Sequence, residues 1–380
     1  MQKRSSNDRY EFIKFISMTL IVMMSTLSLV EGKEDFKLVH ASDVIEKIAE
    51  GRDTLLYDHV LIDGNLDSYK LALNKSEKGK KIINSQILIK NSIILGDVIF
   101  HDVIFNKPIS ILNTTFIEDC DFSYSTFEDR ADFTSSKFKS NVYLIYTRFI
   151  KDAFFLGAIF SKEANFWEAY FEEDVDFGSA RFNGDVTFNF SVFRGDGYFN
   201  NAEFNKKFFL DRTKFSKLEI KFESIKEALA FSENTHLKLI ENFKSLGWFN
   251  DADDCYFHYR QVNQKEKGLG WSKLIDVFGW LSCGYGVRPD YTLWLSLTLI
   301  IVFGFFYWLG NGVRLGFSNV TSKISRSNAL YYSAAVFVSQ PHPRWHPNGE
   351  WWKYVVLIEK IMGWMLLALF IVTLGKVMIR

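Results

Sequence analysis

Ala164-Asn-Phe-Trp-Glu-Ala-Tyr-Phe-Glu-Glu-Asp-Val-Asp-Phe177 sets phenylalanine at 166, 171 and 177, spaced by five and then six residues. Ala164, Ala169 and Val175, each small or β-branched, stand two positions upstream of them. Outward from this stretch the alternation holds from Ile83 to Phe215. It passes through Ile89, Ile94, Phe100, Phe105, Ile111, Phe116, Phe122, Phe127, Phe133 and Phe138, and continues beyond Phe177 to Phe182, Phe188, Phe193, Phe199, Phe204 and Leu210. The period is therefore eleven residues, which neither a helix (3.6) nor a simple strand (2) produces over such a length. The small position recurs with it (Cys120, Ser125, Ala131, Ser136, Val142, Thr147, Ala153, Ala158, Ala180, Val186, Ser191), with Phe208 as the bulky exception. A large and a small residue pointing inward together fill a narrow tube of constant section, and the polar residues between them make a solvated wall.

This pattern resembles that of pentapeptide-repeat proteins, in the variant where every second pentad carries one extra residue. The resemblance covers about a third of the chain. It implies an all-β, right-handed quadrilateral β-helix with 22-residue coils, in which Phe116, Phe138, Phe160, Phe182 and Phe204 share one column. About six such coils are expected, with Ser42 to Glu50 capping the first and Ile225 to Leu246 capping the last. Some members of that family mimic DNA with an acidic surface. Here 19 acidic residues face 14 basic ones between Ile83 and Phe215, too small an excess for that role, and the whole chain has a formal net charge of zero, so no nucleic-acid partner is expected.

The remaining chain reads as targeting, connecting and membrane segments. Lys3, Arg4, Arg9 and Lys14 precede an apolar run from Phe15 to Val30, the layout of a signal peptide or signal anchor. Cys120, Cys255 and Cys283 are too few and too scattered for a disulfide framework or a zinc site. Leu237 to Phe249 and Asp254 to Lys267 have helical periodicity, and Trp271 to Leu281 reads as an amphipathic helix lying on a membrane surface. Asp251, Asp253 and Asp254 read as helix-start carboxylates rather than as metal ligands. Tyr291 to Leu309 has nineteen residues without a charge, and Tyr354 to Ile379 is a second span with Glu359 and Lys360 in its first half. The domains expected are thus a leader (1–32), an N-terminal cap (33–82), the β-helix (83–215), an α-helical connector (216–290) and a two-helix transmembrane module (291–380).

Between the spans, Asn328-Ala-Leu-Tyr-Tyr-Ser-Ala-Ala-Val-Phe-Val-Ser-Gln340 is apolar but too short to cross. Span, short helix, span resembles the module of two-transmembrane potassium channels, with this segment as the pore helix and Ile358 to Leu374 as the inner helix. That resemblance implies ion transport by a homo-tetramer, with Ser339, Gln340, His342 and Glu359 as pore candidates. The departure lies at the filter. A potassium filter presents backbone carbonyls from a glycine-rich loop, whereas Ser339-Gln-Pro-His-Pro343 has none, and no glycine occurs between Gly316 and Gly349. Orientation adds a conflict: an exported β-helix places the loop from Asn311 to Lys353 in the cytoplasm, while the channel family has it outside. Basic residues flank both sides and discriminate little. His342 and His346 lack a third ligand for a metal. No catalytic constellation and no cofactor motif occurs, so the chain does not read as an enzyme. Two readings stay open: a channel-like membrane protein of altered selectivity, and a membrane-anchored β-helical scaffold that conducts nothing and binds a protein partner on its wall.

Overall fold

The computed structural model describes residues 36–70, 75–76, 79–268, 270–315, 324–340 and 344–378. The proposed leader and His342 lie outside them. The chain divides into two compact units at Ala230/Phe231.

The first unit is a parallel β-solenoid of about eight turns. One sheet stacks eight short strands from Lys37–His40 through Val60–Asp63, Ile93–Ile94 and Thr115–Phe116 to Glu203–Phe204. Another stacks seven, from Leu66–Asp67 to Phe208–Phe209, and two further ladders meet in the long strand Val192–Tyr198. Within the repeat the pairings join residues 22 apart, for example Phe116 with Phe138, Ala131 with Ala153 and Phe149 with Phe171, until a register shift after Phe193 shortens the last ones to 21. The inward rings consequently lie in columns. Phe138, Phe160 and Phe182 follow one another at 5.0 and 4.9 Å, Phe127, Phe149 and Phe171 at 4.9 and 5.0 Å, and Phe155, Phe177 and Phe199 at 4.9 Å. These side chains are essentially inaccessible to solvent.

The small inward positions have a second task. Where they are Ser or Thr, the hydroxyl donates to a main-chain carbonyl 25 residues earlier: Ser136 to Ile111 (2.7 Å), Thr147 to Phe122 (2.9 Å), Ser191 to Phe166 (2.6 Å) and Thr213 to Phe188 (2.7 Å). A buried hydroxyl is affordable there because the turn exposes a carbonyl to it.

The solenoid starts earlier than the phenylalanine period indicates. Thr54–Asp58 pairs with Gln86–Lys90, and Val60–Asp63 with Ile93–Ile94, at a spacing of 32 residues instead of 22. An insertion before Lys81 accounts for the difference, and Ile and Leu fill the inward places. The expected helix is present as α1 (Ala41–Ala49), burying Ala41, Val44, Ile45 and Ile48, but a strand, Lys37–His40, precedes it and extends the sheet. At the other end the cap is shorter than expected. It comprises α2 (Phe222–Ile225) and the turn to Leu229, with Phe222, Ile225 and Leu229 buried. Phe208, the bulky exception, belongs to this cap: it pairs with Leu229 and its ring meets Phe204 at 4.4 Å.

The second unit is helical, with α3 (Glu233–Ser245), α4 (Phe249–Glu266), α5 (Trp271–Cys283), α6 (Pro289–Leu309), α7 (Arg326–Phe337) and α8 (Glu350–Met378). Helix α3 starts at Glu233 and packs on α4, so the stretch from Glu233 to Leu246 belongs here and not to the solenoid cap. Pro289 occupies the first turn of α6, where its missing N–H costs nothing. Helices α6 and α8 are long and apolar enough to cross a membrane, with Trp294, Ile301, Phe305, Ile361, Leu367 and Val372 on their exposed sides. A small antiparallel pair, Val313–Leu315 with Trp345–Pro347, joins the segments between them and holds His346.

Truncating one ring of a column leaves a void that rigid neighbouring coils cannot close. Phe160→Ala is expected to destabilise the solenoid by roughly 3–5 kcal/mol, and because a coil touches mainly its neighbours, hydrogen exchange should show lost protection concentrated in the strands around Phe138 and Phe182. Uniform loss across the whole chain would contradict this.

Candidate functional site

Two places concentrate unusual chemistry, one in each unit. In the helical unit, α7 begins at Ser325, whose side chain accepts from the Asn328 backbone N–H at 3.3 Å. It ends where Ser339 adopts φ 57° and the N–H groups of Ser339 and Gln340 return to the carbonyls of Val336 and Ala335, each at 2.8 Å. Helix α8 receives this end closely. A Cβ on Gly363 would sit 2.1 Å from the Phe337 carbonyl oxygen, and the Trp364 indole N–H donates to Ser339 Oγ at 2.6 Å.

Glu359, one turn before Gly363, is fully buried, and so is Ser333. Tyr307 Oη on α6 donates to Glu359 Oε2 at 2.6 Å, and Ser333 Oγ on α7 bonds Glu359 Oε1. Ser333 Oγ also lies 2.9 Å from the Ile300 carbonyl. The Ser333 hydroxyl thus faces two acceptors, Glu359 Oε1 and the Ile300 carbonyl, and Tyr307 donates to the other carboxyl oxygen. Glu359 thus ties α6, α7 and α8 together from inside one chain. Tyr307, Val313, Ile324, Ala329, Tyr332, Val336, Val355 and Val356 form the hydrophobic cluster that joins these helices.

Of the sequence candidates, Ser339 and Glu359 therefore lie on the same α7–α8 contact, at different heights. Gln340 takes part through its backbone in the helix end. Asp254 is an ion-pair partner of Arg288, and Asp251 falls in the first turn of α4. Among the described residues, no three His, Cys, Asp or Glu side chains come together in a way that could hold a metal.

Sequence reasoning missed the second place. Along one outer corner of the solenoid Tyr69, His101, Tyr124, Tyr146, Trp167 and Phe190 form a continuous column, with ring centroids 6.3, 5.2, 5.1, 5.0 and 5.8 Å apart. Arg212 continues it, its guanidinium 5.2 Å from the Phe190 ring. Tyr124, Tyr146 and Phe190 have φ of 61, 55 and 61°, as do Asp102, Glu168 and Arg212 within a few degrees. Another corner uses the same left-handed conformation at Asn91, Asn113, Ser135, Gly157, Ser179 and Asn201, small residues of which Gly and Asn adopt it most readily. Bulky rings in that conformation cost roughly 1–2 kcal/mol apiece, and they remain partly exposed, Tyr124 by 44 %. The signal was available: 124, 146, 190 and 212 repeat at multiples of 22.

A family model described as pentapeptide repeats, in nine copies, matches residues 89–137 and 122–169. Over residues 89–169 the coils of the solenoid therefore carry pentapeptide repeats. No curated protein and no solved structure matches the chain.

The Glu359 assembly makes a sharp expectation for substitutions. Glu359→Gln keeps one donor and one acceptor and should leave the unfolding temperature of the detergent-solubilised chain nearly unchanged. Tyr307→Phe removes the donor to a buried oxygen and should cost about 1–3 kcal/mol. The reverse order would show that the Glu359 carboxyl is held by a group other than these.

Proposed function

We propose that this protein is a membrane-anchored binding scaffold. Its pentapeptide-repeat β-helix, of the right-handed four-sided type, is the working part, and α6 and α8 fix it in the bilayer. The observation that carries this reading is the aromatic column. Stacked rings at strained corners are retained where Asn, Ser or Gly would serve the fold, and strain of that kind points to use. An exposed column of rings and one guanidinium suits a protein partner on the wall, since aromatic side chains and Arg dominate protein interfaces. The reading is non-enzymatic, with the β-helix outside the cytoplasm behind an exported N-terminus.

Ion conduction is the second reading, and the order of span, short helix and span favours it. Its supporting chemistry is thin. Glu359, the acidic candidate of the pore, is occupied by Tyr307 and Ser333 of its own chain, and Ser339 is occupied by Trp364. A conducting tetramer would need side chains or carbonyls facing a shared axis.

Two measurements separate the readings. Purified protein in vesicles should pass no cation flux above the lipid baseline, and a flux that disappears in Glu359→Gln would replace the scaffold reading with the channel one. For the wall, Tyr124→Asn, Tyr146→Asn and Phe190→Asn together should leave the fold as stable or slightly more stable by thermal unfolding, while a photo-crosslinker at Tyr146 loses its discrete adduct when Tyr124 and Phe190 are changed. A large drop in stability instead would assign the column to the fold alone.

A further inference from the structure

The connector carries polar chemistry that neither place above uses. On α5, Asp276 is 6 % exposed and is bonded by Arg260 of α4 at 2.7 Å and by Lys267 at 2.5 Å. The Lys267 hydrogen bond above all, with the Arg260 charge, holds this carboxyl below its ordinary pKa. Two cations thus already match the one buried carboxylate. Beside them lies a cleft of about 360 Å³ lined by Gln261, Gln264 and Lys265 of α4 and by Lys273 and Trp280 of α5.

The groups facing this cleft are mostly donors. Lys273 Nζ donates to the Lys267 carbonyl at 3.1 Å and has no carboxylate partner, nor has Lys265, among the described residues. The Gln264 amide oxygen is taken by the Tyr285 hydroxyl, which leaves its NH₂. The Trp280 indole N–H is buried with no acceptor, a condition that buried polar groups rarely tolerate. Glu266 is exposed and outside the lining. What is missing is an anion.

The outer face of α5 says where that anion would come from. Trp271, Leu274, Ile275, Phe278 and Leu281 recur at helical spacing and are all exposed, Trp271 by 83 %. The end of α5 is pinned to the first turn of α6, because Thr292 Oγ1 donates to the Ser282 carbonyl at 2.6 Å. Helix α5 thus carries the apolar face and two groups of the cationic cleft, Lys273 and Trp280, and leads directly into the first apolar helix. An apolar helix face flanked by lysines is the arrangement that lies among acyl chains with its cations at the headgroups.

We propose that this cleft binds the anionic headgroup of a membrane phospholipid. Lys265 and Lys273 hold the phosphate, the Trp280 N–H and the Gln264 amide donate to its oxygens, and the apolar face of α5 lies among the acyl chains. The site rests on the membrane-anchor reading. It adds lipid selectivity, which anchoring alone does not require.

The test uses the full chain in neutral detergent, with thermal unfolding followed as phosphatidylglycerol or phosphatidylcholine is added. Phosphatidylglycerol should raise the unfolding temperature at lower concentration than phosphatidylcholine. Lys265→Gln and Lys273→Gln should each reduce that preference about fivefold without changing the lipid-free unfolding temperature. Trp280→Phe, which keeps a ring and removes the N–H, should weaken it further, and Lys265→Glu should abolish it. Equal stabilisation by both lipids overturns the site. Stabilisation by glycerophosphoglycerol or inorganic phosphate as strong as by phosphatidylglycerol overturns the lipid assignment in favour of a soluble phosphate compound. Carbonate washing of membranes reports separately on the anchor: a chain that washes off fails the anchor reading, whereas one that stays but shows no lipid preference fails only the site.

Discussion

The 22-residue register between neighbouring coils is the constraint on which the solenoid depends. Adjacent strands must lie about 4.7–4.9 Å apart to share hydrogen bonds, and flat rings stacked in a column want nearly the same separation. Phe127, Phe149 and Phe171 meet both demands at 4.9 and 5.0 Å with their planes within 3° of parallel. Within the phenylalanine repeat, an added or lost residue that is not looped outward would offset each ring from the next and place polar wall residues inside. The longer first coil keeps its inward places because its extra residues lie between the paired strands. The large inward residue therefore fixes the coil length, the coil length fixes which residues become corners, and the corners decide which side chains stand outside in columns. The aromatic column on the wall is a consequence of the same register that packs the core.

The inner columns were legible because they repeat a single chemical type at a fixed step. The first coils were not, because an insertion stretches their spacing to 32 residues and aliphatic side chains replace the rings. Ile62 and Leu55 are buried like the phenylalanines downstream, yet nothing in their spacing joins them to the repeat. The outer column was missed for a different reason. Tyr124, Tyr146 and Phe190 occupy positions that an alternating pattern assigns to solvent, and two of its members, His101 and Trp167, stand one residue before the left-handed corner and not on it. Polarity patterns describe which face a residue takes. They do not show that outward residues of successive coils touch.

In the helical unit the lengths and places of the helices were legible, and their polar ties were not. Glu359 is visible in the sequence as an acid inside an apolar run. Its partners Tyr307 and Ser333 lie 52 and 26 residues away, and no periodicity links the three. The same holds for Asp276, whose ion pairs run back to the preceding helix and loop. Such ties depend on which helix faces which, a property of the packed unit.

That dependence bears on how α7 should be understood. An apolar solvent gives helices little hydrophobic reason to prefer one partner or rotation over another, so close approach and a few hydrogen bonds decide their arrangement. Helix α7 has both. Gly363 lets the Phe337 carbonyl come into contact with α8, Trp364 holds Ser339, and Glu359 holds Ser333 and, through Tyr307, the neighbouring α6. Each bond lies within one chain and none needs a symmetry mate. A half-helix that lines a shared pore has to direct its end toward the axis of an assembly, whereas the end of α7 is spent on α8 of its own chain. The likeness to a channel module lies in the order of its helices, and the polar groups of Tyr307, Ser333, Ser339, Glu359 and Trp364 are engaged in holding α6, α7 and α8 together.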